Sequence, residues 1–173
     1  MLEKIDRIFS RFNRLCGRIL ALVLILMTVN VFYDVIMRYA FHNSSVGMQE
    51  MEWHLFSLLI LFGIGYTLLE EGHVRVDFLY QGYSAKTKTI INIFGTLFLL
   101  LPLALLIISG SVEFVYNAWE IGEISDDPGG LPYRWLIKAM IPLAFLFLLV
   151  NASGYIVRNI RFFCLINAKK EKR

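Results

Sequence analysis

Three histidines, two cysteines and a few clustered acids and bases are the residues of this chain with the chemistry to bind or react. His73, Arg75 and Asp77 alternate within Gly72-His-Val-Arg-Val-Asp-Phe78. On a helix His73 and Asp77 stand at i,i+4, and on an extended link they share a face, so Asp77 can accept a hydrogen bond from His73 either way. Asn30, Asp34 and Arg38 recur at every fourth residue, acid before base, the better order for a helical ion pair. Glu123, Asp126 and Asp127 could offer oxygens to calcium, but their spacing follows no calcium-loop pattern and suits a solvated turn better. His42, His54 and His73 fall on separate elements and make no facing pair of haem ligands. Cys16 and Cys164 lie near opposite ends, with neither disulfide nor metal spacing. No nucleophile with its base and no phosphate loop is evident, so the sequence predicts no enzyme and assigns no catalytic, cofactor or metal site.

What must position these residues is a membrane. Of 173 residues, 57% are hydrophobic and 18% charged, with a mean hydropathy of +0.61. Soluble domains carry about 25% charged residues, and here the apolar excess is gathered into long runs. The runs predict an all-α membrane protein, one domain over 1–173, with four transmembrane helices at roughly 19–40, 48–69, 90–115 and 135–157. Between the second and third runs, residues 70–77 hold five ionisable side chains in eight positions. Each charge costs about 2.5–3.5 kcal/mol at the bilayer centre, so this segment belongs at the surface and divides the chain into two hairpins.

Residues 1–18 interleave Lys4, Arg7, Arg11, Arg14 and Arg18 with Ile5, Ile8, Phe9, Phe12 and Leu15 at helical spacing. That pattern predicts an N-terminal amphipathic basic helix lying on the membrane face. No small-residue cleavage site follows, so the first span is expected to be retained. Gly63 and Gly65 would let another helix approach closely, and Pro102 would kink the third span. Five Lys/Arg precede the first span, three lie in the central link and six follow the fourth, leaving Arg38, Arg134 and Lys138 of the 17 for the other side. Both termini and the central link are therefore expected in the cytoplasm, with Trp53, Trp119 and Trp135 in the opposite aromatic belt.

Asp34 and Glu113 both fall toward the outer face, and the middle of each run is apolar, which speaks against a channel or a proton-coupled exporter. The distribution is that of a structural subunit. Asp34, Arg38, Glu50, Glu52, Glu113 and Lys138 are candidate contacts with a partner, and pairs within the subunit, such as Glu113 with Lys138, are the equal alternative. Asp34 and Arg38 also read as a snorkelling pair. His73, Arg75 and Asp77 are a candidate cytoplasmic structural lock, with a solvated link as the alternative. A membrane anchor for a redox enzyme is the competing function, disfavoured by the scarcity of histidines at membrane depth.

Four segments occur in order: Arg38-Tyr-Ala-Phe41, Gln49-Glu-Met-Glu-Trp-His54, Gly72-His-Val-Arg-Val-Asp77, and Asp127-Pro-Gly-Gly-Leu-Pro-Tyr-Arg-Trp-Leu136 followed by Pro142. Over roughly residues 18–160 the chain thereby resembles the small membrane subunit, the DctQ-like component, of tripartite ATP-independent periplasmic (TRAP) transporters. The likeness is to the branch associated with mannitol, chloroaromatic compounds and 2-oxo acids. Many members open the second span with Trp and paired glutamates, where this chain has Met48 and Glu50-Met51-Glu52. The resemblance implies a bacterial inner-membrane protein that neither catalyses nor binds a cofactor. Its implied partners are a large multi-span subunit that carries substrate and sodium by an elevator motion, a periplasmic substrate-binding protein and membrane lipid, with no nucleic acid. The small subunit would enlarge the static scaffold of a sodium-driven importer of organic acids.

Overall fold

The computed structural model describes residues 2–70 and 82–171. Among them the chain is helical, and four helices are long and apolar enough to cross a membrane. Helix α1 is Leu2–Ala40, α2 is Val46–Leu69, α3 is Ala85–Glu120 and α4 is Arg134–Glu171. Residues 2–18 do not form a separate element: α1 runs unbroken for 39 residues, about 58 Å at 1.5 Å per residue. The sequence holds no proline there, and its one glycine, Gly17, has a packing use described below.

Ser84 caps α3 by accepting the Thr87 N–H at 3.2 Å. Within α3, Thr96–Leu100 widens into a π-turn, and the Leu101 N–H reaches the Thr96 carbonyl. Pro102 comes next; it lacks an N–H, and its ring crowds the carbonyl four residues back. The wider turn just before it accommodates that ring, the usual role of a single π-turn inside a long helix.

Helix α4 is the hub, packed against α1, α2 and α3, while α3 meets the bundle mainly through α4. The buried cluster is Leu68 and Leu69 of α2, Ala104 of α3, and Leu148, Ala152 and Tyr155 of α4. Much of the remaining apolar surface points outward, including Leu24, Ile25 and Phe32 on α1 and Leu99 and Leu106 on α3. An exposed face of that kind is solvated by lipid tails, which are as apolar as leucine.

Since lipid removes the hydrophobic drive between helices, close approach has to supply the contact energy. Three glycine–aromatic contacts close the triangle of α1, α2 and α4. Gly17 of α1 lies under the Tyr66 ring of α2, Gly65 of α2 under Phe147 of α4, and Gly154 of α4 under Phe9 of α1. A Cβ at these glycines would sit 2.5, 2.6 and 2.7 Å from a ring carbon, so none has room. Gly63, the other glycine expected to admit a helix, faces open space within 4 Å. Gly65→Val should therefore lower stability by about 1–3 kcal/mol, read as a fall in the thermal midpoint in mild detergent. Gly63→Val should leave the midpoint within experimental error.

Candidate functional site

Among the described residues the ion pairs collect at the two ends of the bundle. At one end α1 begins, α2 finishes and α4 passes beyond Tyr155. There Arg158 of α4 donates from Nε to Asp6 at 3.2 Å, from Nη2 to Ser10 at 3.1 Å and from Nη1 to the Leu69 carbonyl at 2.5 Å. Leu69 ends α2, so this guanidinium takes up one of the carbonyls a helix C-terminus leaves free. One turn on, Arg161 pairs with Asp6 at 3.0 Å and Glu3 at 3.1 Å. Asn13, fully buried, donates to the Tyr66 carbonyl at 3.2 Å and to Glu70 at 3.1 Å. Asn92 of α3 joins α4 by donating to Asn159 at 3.1 Å. These contacts tie the start of α1 to the far part of α4, so both lie at the same end.

At the opposite end Glu50, one turn into α2, holds the 121–133 loop and the start of α4. Its carboxylate accepts from the Ser125 hydroxyl, from the Leu131 N–H at 2.5 Å and from Arg134 at 2.9 Å. The loop is shaped for this. Its backbone closes through Ser125 N–H to the Leu131 carbonyl at 3.2 Å and Arg134 N–H to the Glu123 carbonyl at 3.0 Å. Gly129 takes φ +84°, and at Gly130 a Cβ would stand 2.8 Å from Glu50 Oε2. Beside this clasp Lys138 pairs with Glu123 and lies 4.1 Å from the centre of the Phe114 ring. A cleft of about 380 Å³ opens next to it, lined by Glu50, Trp53, His54, Asp127, Arg134 and Lys138.

The candidate partner residues divide accordingly. Glu50 and Lys138 each pair within the chain; Lys138 meets Glu123 and not Glu113, because the loop brings Glu123 over the first turns of α4. Asp34 is buried and paired with Arg38, whose side chain stays 44% exposed. Asn30, on the same stripe, donates to the Met48 carbonyl at 2.9 Å, so the stripe lies against the opening of α2. Glu52 is half-buried and Glu113 exposed on α3, and neither has an ion pair or hydrogen bond among the described residues. Asp126 and Asp127 are exposed, while Glu123 is turned to Lys138; no cluster able to hold a metal ion occurs among the described residues. His73, Arg75 and Asp77, the candidate lock, lie outside the described residues.

Sequence reasoning misses the Asp6–Arg158 clasp. The signal is nonetheless present: Asp6, Ser10 and Asn13 share a helical face, apart from the arginines of the same segment, and Arg158 and Arg161 are one turn apart just past the fourth span.

A family model described as the DctQ component of tripartite ATP-independent periplasmic transporters matches residues 27–162. The chain is 32% identical over 112 residues, 64% of its length and 69% of the relative's, to a Haemophilus influenzae protein named as a TRAP transporter small permease protein. It is 29% identical over 146 residues, 84% of its length and 72% of the relative's, to the ectoine TRAP transporter small permease protein TeaB of Halomonas elongata. No solved structure matches it.

Each clasp supplies charge-assisted hydrogen bonds whose loss leaves partners unmet. Arg158→Met and Glu50→Gln should each lower stability by about 2 kcal/mol. Because the two sites sit at opposite ends, the double variant should show the sum to within about 0.5 kcal/mol. Thermal unfolding of the purified protein measures both the single losses and their additivity.

Proposed function

The chain belongs to the DctQ-component family of tripartite ATP-independent periplasmic transporters and is a small permease subunit of such a transporter, and we propose that it is the stationary scaffold against which the large subunit moves its solute. Membership makes it a multi-pass membrane protein that works beside a large permease subunit and a substrate-binding protein. The observation that carries the stationary role is the pair of clasps. At one end Arg158 ties α4 to α1 through Asp6 and to α2 through the Leu69 carbonyl; at the other Glu50–Arg134 ties α2 to α4 and Asn30 ties α1 to α2 through the Met48 carbonyl, so the three helices are held as one body. A part that changes shape during transport needs a hinge or a shear plane within it; helices tied to one another in this way favour a fixed wall. The wall's outer surface is apolar, and Glu113 adds an exposed acid on α3 for a partner to recognise.

In the finer reading, the transporter imports an organic acid with sodium, and the solute and ion pass through the large subunit. The Asp127–Leu136 motif supports the organic-acid branch. Both termini face the cytoplasm of a bacterial inner membrane, in keeping with the lysines and arginines that gather at the end where α1 begins and α4 finishes.

Liposomes holding this chain alone should show no uptake. Those holding it with the large subunit and the binding protein should take up an organic acid on a sodium gradient. Accumulation by the chain alone overturns the scaffold role. A second measurement probes immobility directly: Glu123→Cys and Lys138→Cys, bridged by a short bis-maleimide, should leave transport intact, whereas a block would mean that this end moves during the cycle. Glu113→Arg should reduce co-purification of the large subunit about tenfold, the effect of placing like charges at a contact worth about 1.4 kcal/mol.

A further inference from the structure

Lys4, Arg7, Arg11, Arg14 and Arg18 follow one another at spacings of three, four, three and four residues, so they form a single stripe along α1. All five are exposed, and none has an ion pair or hydrogen bond among the described residues. The two acids of the same segment, Glu3 and Asp6, are turned away to Arg158 and Arg161 of α4. The stripe is thus purely cationic. Beside it runs a second exposed row, Ile8, Phe12, Leu15 and Ile19.

The stripe also climbs into the bundle. Arg158 marks the polar end by bonding Ser10, and Arg18 stands eight residues further along α1, about 12 Å toward the middle. Its neighbour Gly17 lies under Tyr66, a full turn before α2 ends. Arg18 is therefore exposed beside the last apolar turn of α2, where a bare cation is costly, while Arg14, next to the Asn13 that donates to Glu70, stands where α2 ends. Something anionic must meet Arg18 there, and it must tolerate an adjoining apolar row.

We infer that this face of α1 is an anionic-phospholipid site: lipid phosphates line up along Arg11, Arg14 and Arg18, and the acyl chains of the same lipids lie over Phe12, Leu15 and Ile19. Arginine forks match phosphate oxygens in two-point hydrogen bonds. A basic row flanked by an apolar row on one helix is the pattern that binds anionic membrane surfaces. An acidic protein face would neutralise the cations but would not explain the parallel apolar row extending to Ile8, 66% exposed. Neither the stationary role nor the orientation of the termini is needed for this assignment.

The test uses the complex of this chain with its large subunit, purified in mild detergent and equilibrated with mixed phosphatidylglycerol and phosphatidylcholine. Native mass spectrometry then counts the retained lipid of each kind. Each basic residue near an anionic surface is worth roughly fivefold in binding, so R11Q/R14Q/R18Q should lower the preference for phosphatidylglycerol about a hundredfold if the three act independently. R11K/R14K/R18K, which keeps the charge, should keep most of the preference. Arg14→Gln alone, with an expected drop of about fivefold, serves should the triple variant not assemble. An unchanged preference in the Gln variants overturns the site. So does a benzoylphenylalanine at Leu15 that captures the large subunit and not lipid, since a protein face would then cover the stripe.

Discussion

Helices immersed in lipid gain almost nothing by burying one another's leucines, and that constraint shapes this subunit throughout. Lipid tails would solvate the same surfaces equally well, so contact has to come from close backbone approach and from polar groups that prefer one another to hydrocarbon. The chain uses both, in different places. Gly17, Gly65 and Gly154 bring α1, α2 and α4 together in the apolar middle, each glycine receiving an aromatic ring from the next helix. The charged clasps are kept to the ends. There water and headgroups lower the cost of charge, and the 31% exposed Arg158 side chain can still reach Asp6, Ser10 and the Leu69 carbonyl.

This division explains why α4 is the hub. Among the described residues it has a glycine contact to α1, an aromatic contact to α2, ion-paired arginines toward both ends and most of the packing against α3. Its Arg134 completes the Glu50 clasp, and its Arg158 and Arg161 complete the Asp6 clasp. The 121–133 loop is a working part of the first. Gly129 and Gly130 let the backbone fold tightly enough for Ser125, Leu131 and Arg134 to converge on a single carboxylate.

The four spans are legible in the sequence because hydrocarbon imposes a length and a composition that few other environments demand. Pro102 likewise announces a disturbance in α3, which takes the form of a π-turn. The direction in which charges point is not legible in the same way. Glu50 and Glu52 are two residues apart and look alike in a sequence, yet a helix turns them about 200° apart. One lies inward on Arg134; the other is left half-buried. The pairing of Lys138 with Glu123 depends on the path of a thirteen-residue loop, 121–133, which no periodicity encodes. The Asp6–Arg158 pair joins residues 152 positions apart; the two polar faces are legible in the sequence, but which acid meets which base is not.

Helix α1 carries the argument one step further, because its two halves answer to different neighbours. Toward the subunit it presents Asp6, Ser10, Asn13, Asn30 and Asp34, each paired with α2, α4 or a residue of α1 itself. Toward the outside it presents cations and large apolar side chains. A soluble amphipathic helix has the opposite arrangement, with its polar face in solvent and its apolar face packed. The inversion follows once the surroundings are lipid. Polar groups are worth most where they can bond one another, apolar groups lose nothing by facing tails, and arginines are stable outside only where phosphates can reach them. Beyond Asn30 the helix continues ten residues to Ala40, about 15 Å, with Phe32, Tyr33 and Tyr39 exposed. That extension outruns the start of α2, which Asn30 marks through the Met48 carbonyl.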